Sequence, residues 1–171
     1  GEFVAVVGGS GAGKSTLLDC INGMRPATDG KIYYDTNDYY ENMNTYKGVV
    51  GYVPQRDIMH DDLTVADALR YTAMLRTRAD LSKEELAAHV NGAIADVRLQ
   101  GKEHLRISSL SGGQKKRVSI AMELLSDPKV IFLDEPTSGL SPDLDMEMME
   151  LLKELSKKGR TIVVITHAME N

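Results

Sequence analysis

The 171-residue sequence contains a single cysteine, Cys20, and no apolar run long enough to cross a bilayer. A lone cysteine cannot form an intrachain disulfide or a thiolate metal cluster, and we expect Cys20 to be a small buried side chain on a helix. A membrane-spanning helix needs about 20 consecutive apolar residues, whereas runs such as 161–165 have the length of a strand. No secretory leader is visible. Membrane contact would therefore require a partner or segments outside this sequence.

The sequence also lacks an excess of positive charge, since 25 acidic and 20 basic residues give a formal net charge of -5. This balance argues against a broad basic surface that grips nucleic acid. With 42% hydrophobic residues and no low-complexity segment, the composition is typical of a globular domain with its own core. The sequence starts in a strand pattern without methionine and stops soon after another strand. We expect it to lack N- and C-terminal parts of a longer polypeptide.

Strand and helix patterns alternate along the chain. Residues 3–7 and 161–166 are continuous apolar runs, which predict strands buried on both faces, and residues 130–133 predict a further strand. Ser141 and Pro142 open a helix that has one apolar face. This alternation predicts an α/β fold with a mostly parallel sheet.

The middle of the chain has a different character. Residues 57–110 predict an all-helical insertion, in which residues 82–85 form a capping box at one helix start. Residues 27–53 are rich in tyrosine and asparagine and predict a small antiparallel β element. The tyrosines could stack on bases, but clustered tyrosines are more often half-buried packing residues. We therefore expect a core formed by residues 1–56 and 111–171 around the insertion.

A glycine-rich loop between the first strand and the first helix matches the whole phosphate-loop pattern. Its glycines let backbone N–H groups converge on a polyphosphate, and the helix N-terminus adds partial positive charge. The pattern predicts that Lys14 contacts the β- and γ-phosphates and that Ser15 binds Mg²⁺. The alternative is a glycine-rich turn that contains a lysine by chance. The predicted nucleotide-binding residues are Gly8, Gly9, Ser10, Gly11, Ala12, Gly13, Lys14, Ser15 and Thr16.

The strand pattern of residues 130–133 leads directly into two acids, Asp134 and Glu135. Parallel strands of α/β proteins bind ligands at this carboxyl end. Asp134 is predicted to steady the Mg²⁺ that Ser15 contacts. Glu135 would point elsewhere and could polarise an attacking water as a general base. Without the phosphate loop, a solvated strand end would explain the pair equally well.

Residues 110–114, Leu-Ser-Gly-Gly-Gln, resemble the signature motif of ABC ATPases. The other motifs follow that family's order: the phosphate loop, Gln55 in Tyr-Val-Pro-Gln, the insertion, the signature, Asp134-Glu135, the loop 138–141 and His167 in Ile-Thr-His. The resemblance implies a RecA-like P-loop NTPase fold that binds and hydrolyses ATP with Mg²⁺. It implies that Gln55 reaches Mg²⁺ and relays nucleotide state to the insertion. It also implies that His167 orients Glu135 and the water, so the catalytic set is Glu135, His167 and Lys14.

The resemblance further implies a head-to-tail dimer that holds two ATP molecules between its subunits. Ser111, Gly112, Gly113 and Gln114 would form an anion site at a helix N-terminus that serves the partner's ATP. Taken alone, residues 111–117 would be a capped helix start with a solvated basic face. The implied partners are a second nucleotide-binding domain and a transmembrane domain that is fused in the longer chain, and no nucleic acid is implied. The resemblance therefore implies a domain at the cytoplasmic face of the cell membrane that drives a transporter by ATP hydrolysis.

Finer likeness points to one branch of the family. Residues 51–55, 119–125 and 134–140 resemble the G subfamily and its bacterial exporter relatives. Soluble ABC ATPases of DNA repair or translation are the alternative, but the insertion has no coiled-coil heptads or basic arm and only one phosphate loop is present. A non-hydrolysing nucleotide-binding fragment is a further alternative, against which Glu135 and His167 argue.

Two departures from the family pattern bear on function. Ser141 stands where the family usually carries aspartate, and we expect it to cap its helix but to couple the two ATP sites less well. The family's adenine-stacking aromatic would precede Gly1, so we expect binding dominated by the phosphates. The remaining histidines, His60, His89 and His104, are expected at the surface or in loops.

Overall fold

A computed structural model describes residues 1–34, 36–46, 48–77 and 81–166 of the chain. Four strands of these residues form one sheet in which all pairings are parallel. The strands are β1 (Phe3–Val7), β4 (Val50–Val53), β5 (Val130–Asp134) and β6 (Thr161–Thr166), in the spatial order β1-β6-β5-β4. A separate antiparallel pair consists of β2 (Tyr33–Tyr34) and β3 (Asn37–Asp38). The predicted mostly parallel sheet with a small antiparallel element is confirmed.

Helices pack around this sheet and on one another. They are α1 (Lys14–Ile21), α2 (Met43–Tyr46), α3 (Val65–Arg76), α4 (Lys83–Asp96), α5 (Gly112–Leu124) and α6 (Pro142–Lys157), with a 3₁₀ turn over Ile107–Ser109. Helices α3 and α4 pack against each other and against α5, whereas α6 packs on β6 and β1. Within the described ranges, no helix combines the length and the apolar character that a bilayer crossing requires.

The starts of α4 and α5 follow the same local rule. Ser82 accepts a hydrogen bond from the Glu85 N–H while the Glu85 side chain accepts one from the Ser82 N–H, which is the predicted capping box. Ser111 and Gln114 form an equivalent box at the start of α5. These reciprocal bonds satisfy N–H groups that have no partner within the helix.

Helix α6 begins differently from the expectation. Ser141 occupies its N-cap position, but the hydroxyl makes no capping hydrogen bond, so the expected side-chain cap is wrong. Pro142 at the first position already has the backbone angle that a helix needs. The acidic residues Asp143 and Asp145 in the first turn also favour this helix end electrostatically.

One hydrophobic cluster extends from the helical region into the sheet. It contains Leu69 of α3, Ile94 of α4, Leu133 of β5 and Leu151 of α6, all of them buried. The helices of residues 57–110 therefore share apolar packing with the sheet. The division into a core and an inserted subdomain remains a prediction.

Both edges of the sheet differ from the sequence predictions. Strand β1 is an edge strand, and the exposed fractions of Val4 and Val7 are 38% and 46%, so burial on both faces is wrong here. An apolar run indicates that a segment pairs in a sheet, but it does not show which faces other elements cover. The predicted β element of residues 27–53 also ends earlier, because Val50–Val53 pairs with β5 in the main sheet.

The tyrosines that precede β4 close the end of helix α1. The Tyr39 hydroxyl donates to the Asn22 carbonyl at 2.7 Å, and those of Tyr40 and Tyr34 donate to the carbonyls of Cys20 and Ile21 at 2.9 and 3.2 Å. A helix end leaves such carbonyls without intrahelical partners, so the phenols stabilise it. The packing interpretation of this cluster is confirmed. Cys20 lies on α1 as expected, but it is only half-buried.

Candidate functional site

The loop between β1 and α1 closes around the head of a lysine. Lys14 Nζ donates to the carbonyl oxygens of Gly8 and Gly9 at 2.8 and 2.9 Å. Gly11 and Gly13 have φ values of 78° and 88°, a left-handed conformation that glycine adopts without steric cost. Gly13 immediately precedes α1, so the unpaired N–H groups of the first turn belong to the same loop.

This loop lines a cavity of about 280 Å³. Backbone N–H groups, a helix N-terminus and an ammonium group make its wall suitable for a polyphosphate. A Cβ added at Gly9, Gly11 or Gly13 would meet no heavy atom within 4 Å, so the backbone there is open to a ligand. Predicted nucleotide-binding residues form most of the lining, which consists of Ser10, Gly11, Ala12, Gly13, Lys14, Ser15, Thr16 and Glu135.

A hydroxyl and a carboxylate meet beside this cavity. Ser15 Oγ donates to Asp134 Oδ1 at 3.3 Å, although 119 residues separate them in sequence. Asp134 ends β5 and is buried, with an exposed fraction of 8%. Mg²⁺ prefers oxygen ligands and is commonly bound by one or two protein groups together with phosphates and waters. The residues present therefore fit a magnesium ion, and the described ranges contain no separate cluster of three metal-binding side chains.

Glu135 turns away from Asp134, as the sequence predicted. Its φ of 46° lies in the left-handed region, which costs a non-glycine residue about 1–3 kcal/mol. Its N–H donates to the Ile165 carbonyl at 3.0 Å, and its Oε2 accepts a bond of 2.7 Å from Gln55 Nε2. The backbone thus aims one acid at Ser15 and the next acid at Gln55 and the phosphate-loop cavity.

The electrostatic surroundings favour a cation near Ser15. Burial, together with the negative charges of Asp134 and Asp19, raises the pKa of the Tyr52 phenol. The raised pKa keeps Tyr52 neutral over a wider pH range, in which it does not add to the negative charge of the two carboxylates. Those charges would interact favourably with a divalent ion.

The signature residues lie at a different place from the phosphate loop. Ser111, Gly113 and Gln114 contribute to a separate cavity of about 120 Å³, and none of them lines the phosphate-loop cavity. Ser111 Oγ accepts from the Gln114 N–H at 3.3 Å, which leaves its own hydroxyl hydrogen available to another acceptor. The fold therefore does not bring these predicted site residues together within one chain. His167, the predicted catalytic histidine, lies outside the described residues.

One residue of this region was missed by sequence reasoning. Lys116 does not belong to a solvated basic face, because only 8% of its side chain is exposed. Its Nζ donates to the carbonyls of Pro54 and Gln55. Helical periodicity offered a signal, because Lys116 lies three residues after Gly113 and four before Ile120, which are both buried.

The predicted positions of the other histidines are confirmed for two of three. His60 and His104 are exposed. His89 instead lies half-buried in α4, where its ring nitrogen is 2.7 Å from the Leu125 carbonyl. The surface prediction for His89 is therefore wrong, because α5 packs against that face of α4.

Comparison with known proteins gives one consistent group. The sequence model of the ABC transporter family matches residues 1–138. The ABC transporter ATP-binding/permease protein Rv1747 of Mycobacterium tuberculosis is 40% identical over 99% of this chain. ABC transporter A family member 9 and G family member 14 of Arabidopsis thaliana are 36% and 38% identical over 99% and 98% of it. The chain spans only 20%, 18% and 26% of the lengths of these three relatives.

Two solved structures are similar throughout. The protein cbiO1 from Clostridium perfringens, part of the ABC transporter complex cbiONQ, has a TM-score of 0.89 and 33% identity, covering 98% of this chain and 67% of its own. The ATP-binding cassette MJ0796 was solved as a dimer in a post-hydrolysis state with ADP and Pi. It has a TM-score of 0.82 and 31% identity, covering 98% of this chain and 75% of its own.

Proposed function

This chain belongs to the ABC transporter family, in which it is an ATP-binding ATPase domain, and from that premise we propose that the phosphate-loop cavity is where it hydrolyses Mg-ATP. The predicted family and P-loop fold are confirmed by the same comparisons. One observation carries the proposal: the cavity of about 280 Å³ is lined by the phosphate loop, the first turn of α1 and Glu135. Anion-binding groups and a candidate base therefore share one space.

The phosphate-binding and metal-binding roles are divided among few residues. Lys14 and the loop N–H groups neutralise and orient the terminal phosphates. Ser15 and Asp134, whose oxygens lie 3.3 Å apart, would hold the magnesium ion. Bound magnesium supplies charge neutralisation of the phosphate oxygens.

Glu135 is the general base of the proposed reaction. It accepts a proton from the attacking water, and Gln55 holds its carboxylate in place through the bond of 2.7 Å. Gln55 also has a side-chain carbonyl oxygen, which by resemblance to the family would bind the metal. By resemblance to the family, His167 would orient the water and Glu135.

The signature turn completes the site of a second copy. Ser111, Gly112, Gly113 and Gln114 present a helix N-terminus away from their own phosphate loop. A head-to-tail dimer would bring this turn to the γ-phosphate bound by the partner. The dimeric structure of the related cassette MJ0796 with ADP and Pi supports the formation of a dimer.

The domain's role in a transporter is to drive a membrane partner. The related mycobacterial protein is an ATP-binding/permease protein, and cbiO1 is part of a transporter complex. Helix α3 exposes Tyr71, Met74 and Leu75 by 46%, 61% and 86%, beside a groove of about 650 Å³ between α3 and α4. Such an apolar patch suits a protein partner. We infer a fused transmembrane domain, export of the G-subfamily type and a place at the cytoplasmic face of the membrane.

The test is the Glu135→Gln variant, which keeps the shape of the side chain and removes its basicity. We expect Mg-ATP binding to persist, turnover to fall by about 10²–10⁴-fold and an ATP-dependent dimer to accumulate in light scattering. In the same background, Ser111→Arg should block the dimer and leave nucleotide binding intact. Undiminished turnover in Glu135→Gln would remove Glu135 from this role. A dimer without turnover in the unaltered chain would favour the non-hydrolysing alternative.

A further inference from the structure

Helix α5 contains a buried lysine, Lys116, that has no role in the proposed reaction. Lys116 has an exposed side-chain fraction of 8%, and a buried charge is costly unless it is paired and hydrogen-bonded. Its neighbour Lys115 has an exposed side-chain fraction of 28% and pairs with Asp61 at 3.1 Å. The two adjacent lysines therefore have different surroundings.

The partners of Lys116 all lie in one short segment after β4. Its Nζ donates to the carbonyls of Pro54 and Gln55 at 3.0 and 2.9 Å, and it lies 2.7 Å from Asp57 Oδ1. The ammonium group thus restrains two consecutive main-chain carbonyls as well as a carboxylate. Gln55 is held at its backbone by Lys116 while its side chain reaches Glu135.

The other end of this connection is the signature turn. Lys116 lies two residues after Gln114 in the same helix, and the Lys115 N–H donates to the Ser111 carbonyl at 2.9 Å. Helical hydrogen bonds make this first turn of α5 stiff, so the turn moves with Lys116. A continuous chain of contacts therefore runs from Glu135 through Gln55 and Lys116 to Ser111.

We propose that Lys116 is a positioning residue that couples Gln55, at the phosphate-loop cavity, to the signature turn that faces a second copy of the chain. This inference rests on the proposed function and adds a mechanism to it. A displacement of Gln55 caused by the bound nucleotide would shift the 54–57 backbone, and Lys116 would carry that shift to α5. The turn at Ser111, which faces the partner's nucleotide, would then reach its dimer-forming position only when the cavity of its own chain holds nucleotide.

Lys116 could instead serve stability alone, by neutralising Asp57. The two roles differ in what Asp57→Asn does. This variant removes the ion pair but leaves Lys116 able to donate to both carbonyls. If Lys116 couples the two sites, Asp57→Asn should lower thermal stability while ATP-driven dimerisation persists. If Lys116 only stabilises the fold, dimerisation should decrease together with thermal stability.

The experiment compares Lys116→Met with the matched control Lys115→Met, each alone and in the Glu135→Gln background. For Lys116→Met we expect Mg-ATP affinity within about 2-fold of the unaltered chain, kcat reduced about 10-fold, and a dimerisation midpoint raised about 10-fold in light scattering. Lys116→Arg should recover most of the dimerisation. Lys115→Met should match the unaltered chain in all three measurements.

A second measurement does not depend on turnover. Amide hydrogen exchange of residues 55–57 should be faster in Lys116→Met than in Lys115→Met, because the restraint on that backbone is lost. If Lys116→Met does not fold, Lys116→Gln replaces it, because its amide can still donate to one carbonyl. The same changes in hydrogen exchange, kcat and dimerisation are then expected, but they should be smaller.

The outcomes separate this inference from the function on which it rests. Normal dimerisation and kcat in Lys116→Met, or an equal loss in Asp57→Asn at matched stability, would overturn the coupling and leave the ATPase assignment standing. If Glu135→Gln alone neither binds Mg-ATP nor dimerises, the proposed function fails and the coupling fails with it.

Discussion

Gln55 Nε2 donates a hydrogen bond of 2.7 Å to Glu135 Oε2, across 80 residues of sequence. The bond joins the segment after β4 to the end of β5, two neighbouring strands of the parallel sheet. It restrains the carboxylate that could act on water, and it does so from a residue whose own carbonyl is bound by Lys116. The position of the candidate base therefore depends on the segment that connects the sheet to the helices.

Gln55→Ala should slow turnover by about 10-fold while Mg-ATP affinity changes little, because Glu135 loses the partner that fixes its orientation. Steady-state kinetics and nucleotide titration measure the two quantities separately. Arg56→Ala, at the exposed next position, is the matched control and should leave kcat unchanged. An unaltered kcat in Gln55→Ala would show that Glu135 needs no such restraint.

Asp134→Asn should raise the Mg²⁺ concentration for half-maximal nucleotide binding by about 10–100-fold, because a charged ligand becomes neutral. The amide oxygen can still accept the Ser15 hydroxyl bond, so the loop geometry should persist. A magnesium titration with a fluorescent ATP analogue measures the change. Asp19→Asn removes a nearby charge that does not bond Ser15. A smaller effect of Asp19→Asn would distinguish direct binding of Mg²⁺ by Asp134 from the general effect of nearby negative charge. Equal effects of both variants would argue against direct ligation by Asp134.

Ser141→Ala should cost less than about 0.5 kcal/mol of stability, because the hydroxyl makes no capping hydrogen bond. Ser82→Ala, which removes a formed cap, should cost about 1 kcal/mol. Urea denaturation of both variants gives the comparison. Equal losses would show that Ser141 does cap α6. Ser141→Asp should in turn increase the cooperativity of ATP-driven dimerisation if a charge there couples the two sites.

Gly23→Ala should destabilise the fold by about 2 kcal/mol, since the new Cβ would lie 2.7 Å from the Tyr39 ring at a φ of 80°. Gly30→Ala is the control, because Gly30 has a φ of 91° and no heavy atom within 4 Å of the added Cβ. Gly30→Ala should therefore lower the free energy of unfolding by only about 1 kcal/mol, through backbone strain. The difference in unfolding free energy measures the close packing of the tyrosines on α1. Two equal losses would mean that Tyr39 moves aside at no cost.

Glu85 should make the start of α4 sensitive to acid. Hydrogen bonds, first from the Ser82 backbone and then from its side chain, lower the pKa of the Glu85 carboxyl below its usual 4.5. A lowered folded-state pKa adds stability above the unfolded-state value, and this stability is lost as the pH falls through the folded-state pKa. The stability difference between the unaltered chain and Glu85→Gln should therefore shrink below about pH 4.5. Glu84→Gln lies in the same turn and should retain the full acid sensitivity, and a constant difference for Glu85→Gln would refute the assignment.

Local features were predictable because their physics is contained in a few consecutive residues. The phosphate loop needs glycines, a lysine and a helix start in one order, and residues 8–15 provide them. The capping boxes at Ser82 and Ser111 are four-residue patterns of the same kind. The two acids at the end of β5 were predictable as a ligand-facing strand end, and the fold turns Asp134 toward Ser15 as expected.

Other features were hidden because they depend on what the rest of the chain covers. Strands β1 and β6 are both continuous apolar runs in the sequence, yet β1 lies at an edge of the sheet and β6 lies inside it. The sequence predicts that Lys116 is part of a solvated basic surface. In the fold, the face of α5 that carries Lys116 packs against the segment after β4. His89 is half-buried for a similar reason.

By itself the sequence determined the nucleotide-binding chemistry, the α/β fold and the order of the motifs, since these follow from residue types at short spacing. Only the tertiary structure decided that Gln55 holds Glu135 and that Lys116 holds Gln55. The reason is physical: burial, and the pairing of polar groups across 61 to 80 residues, are properties of the packed chain and leave no short pattern in its sequence.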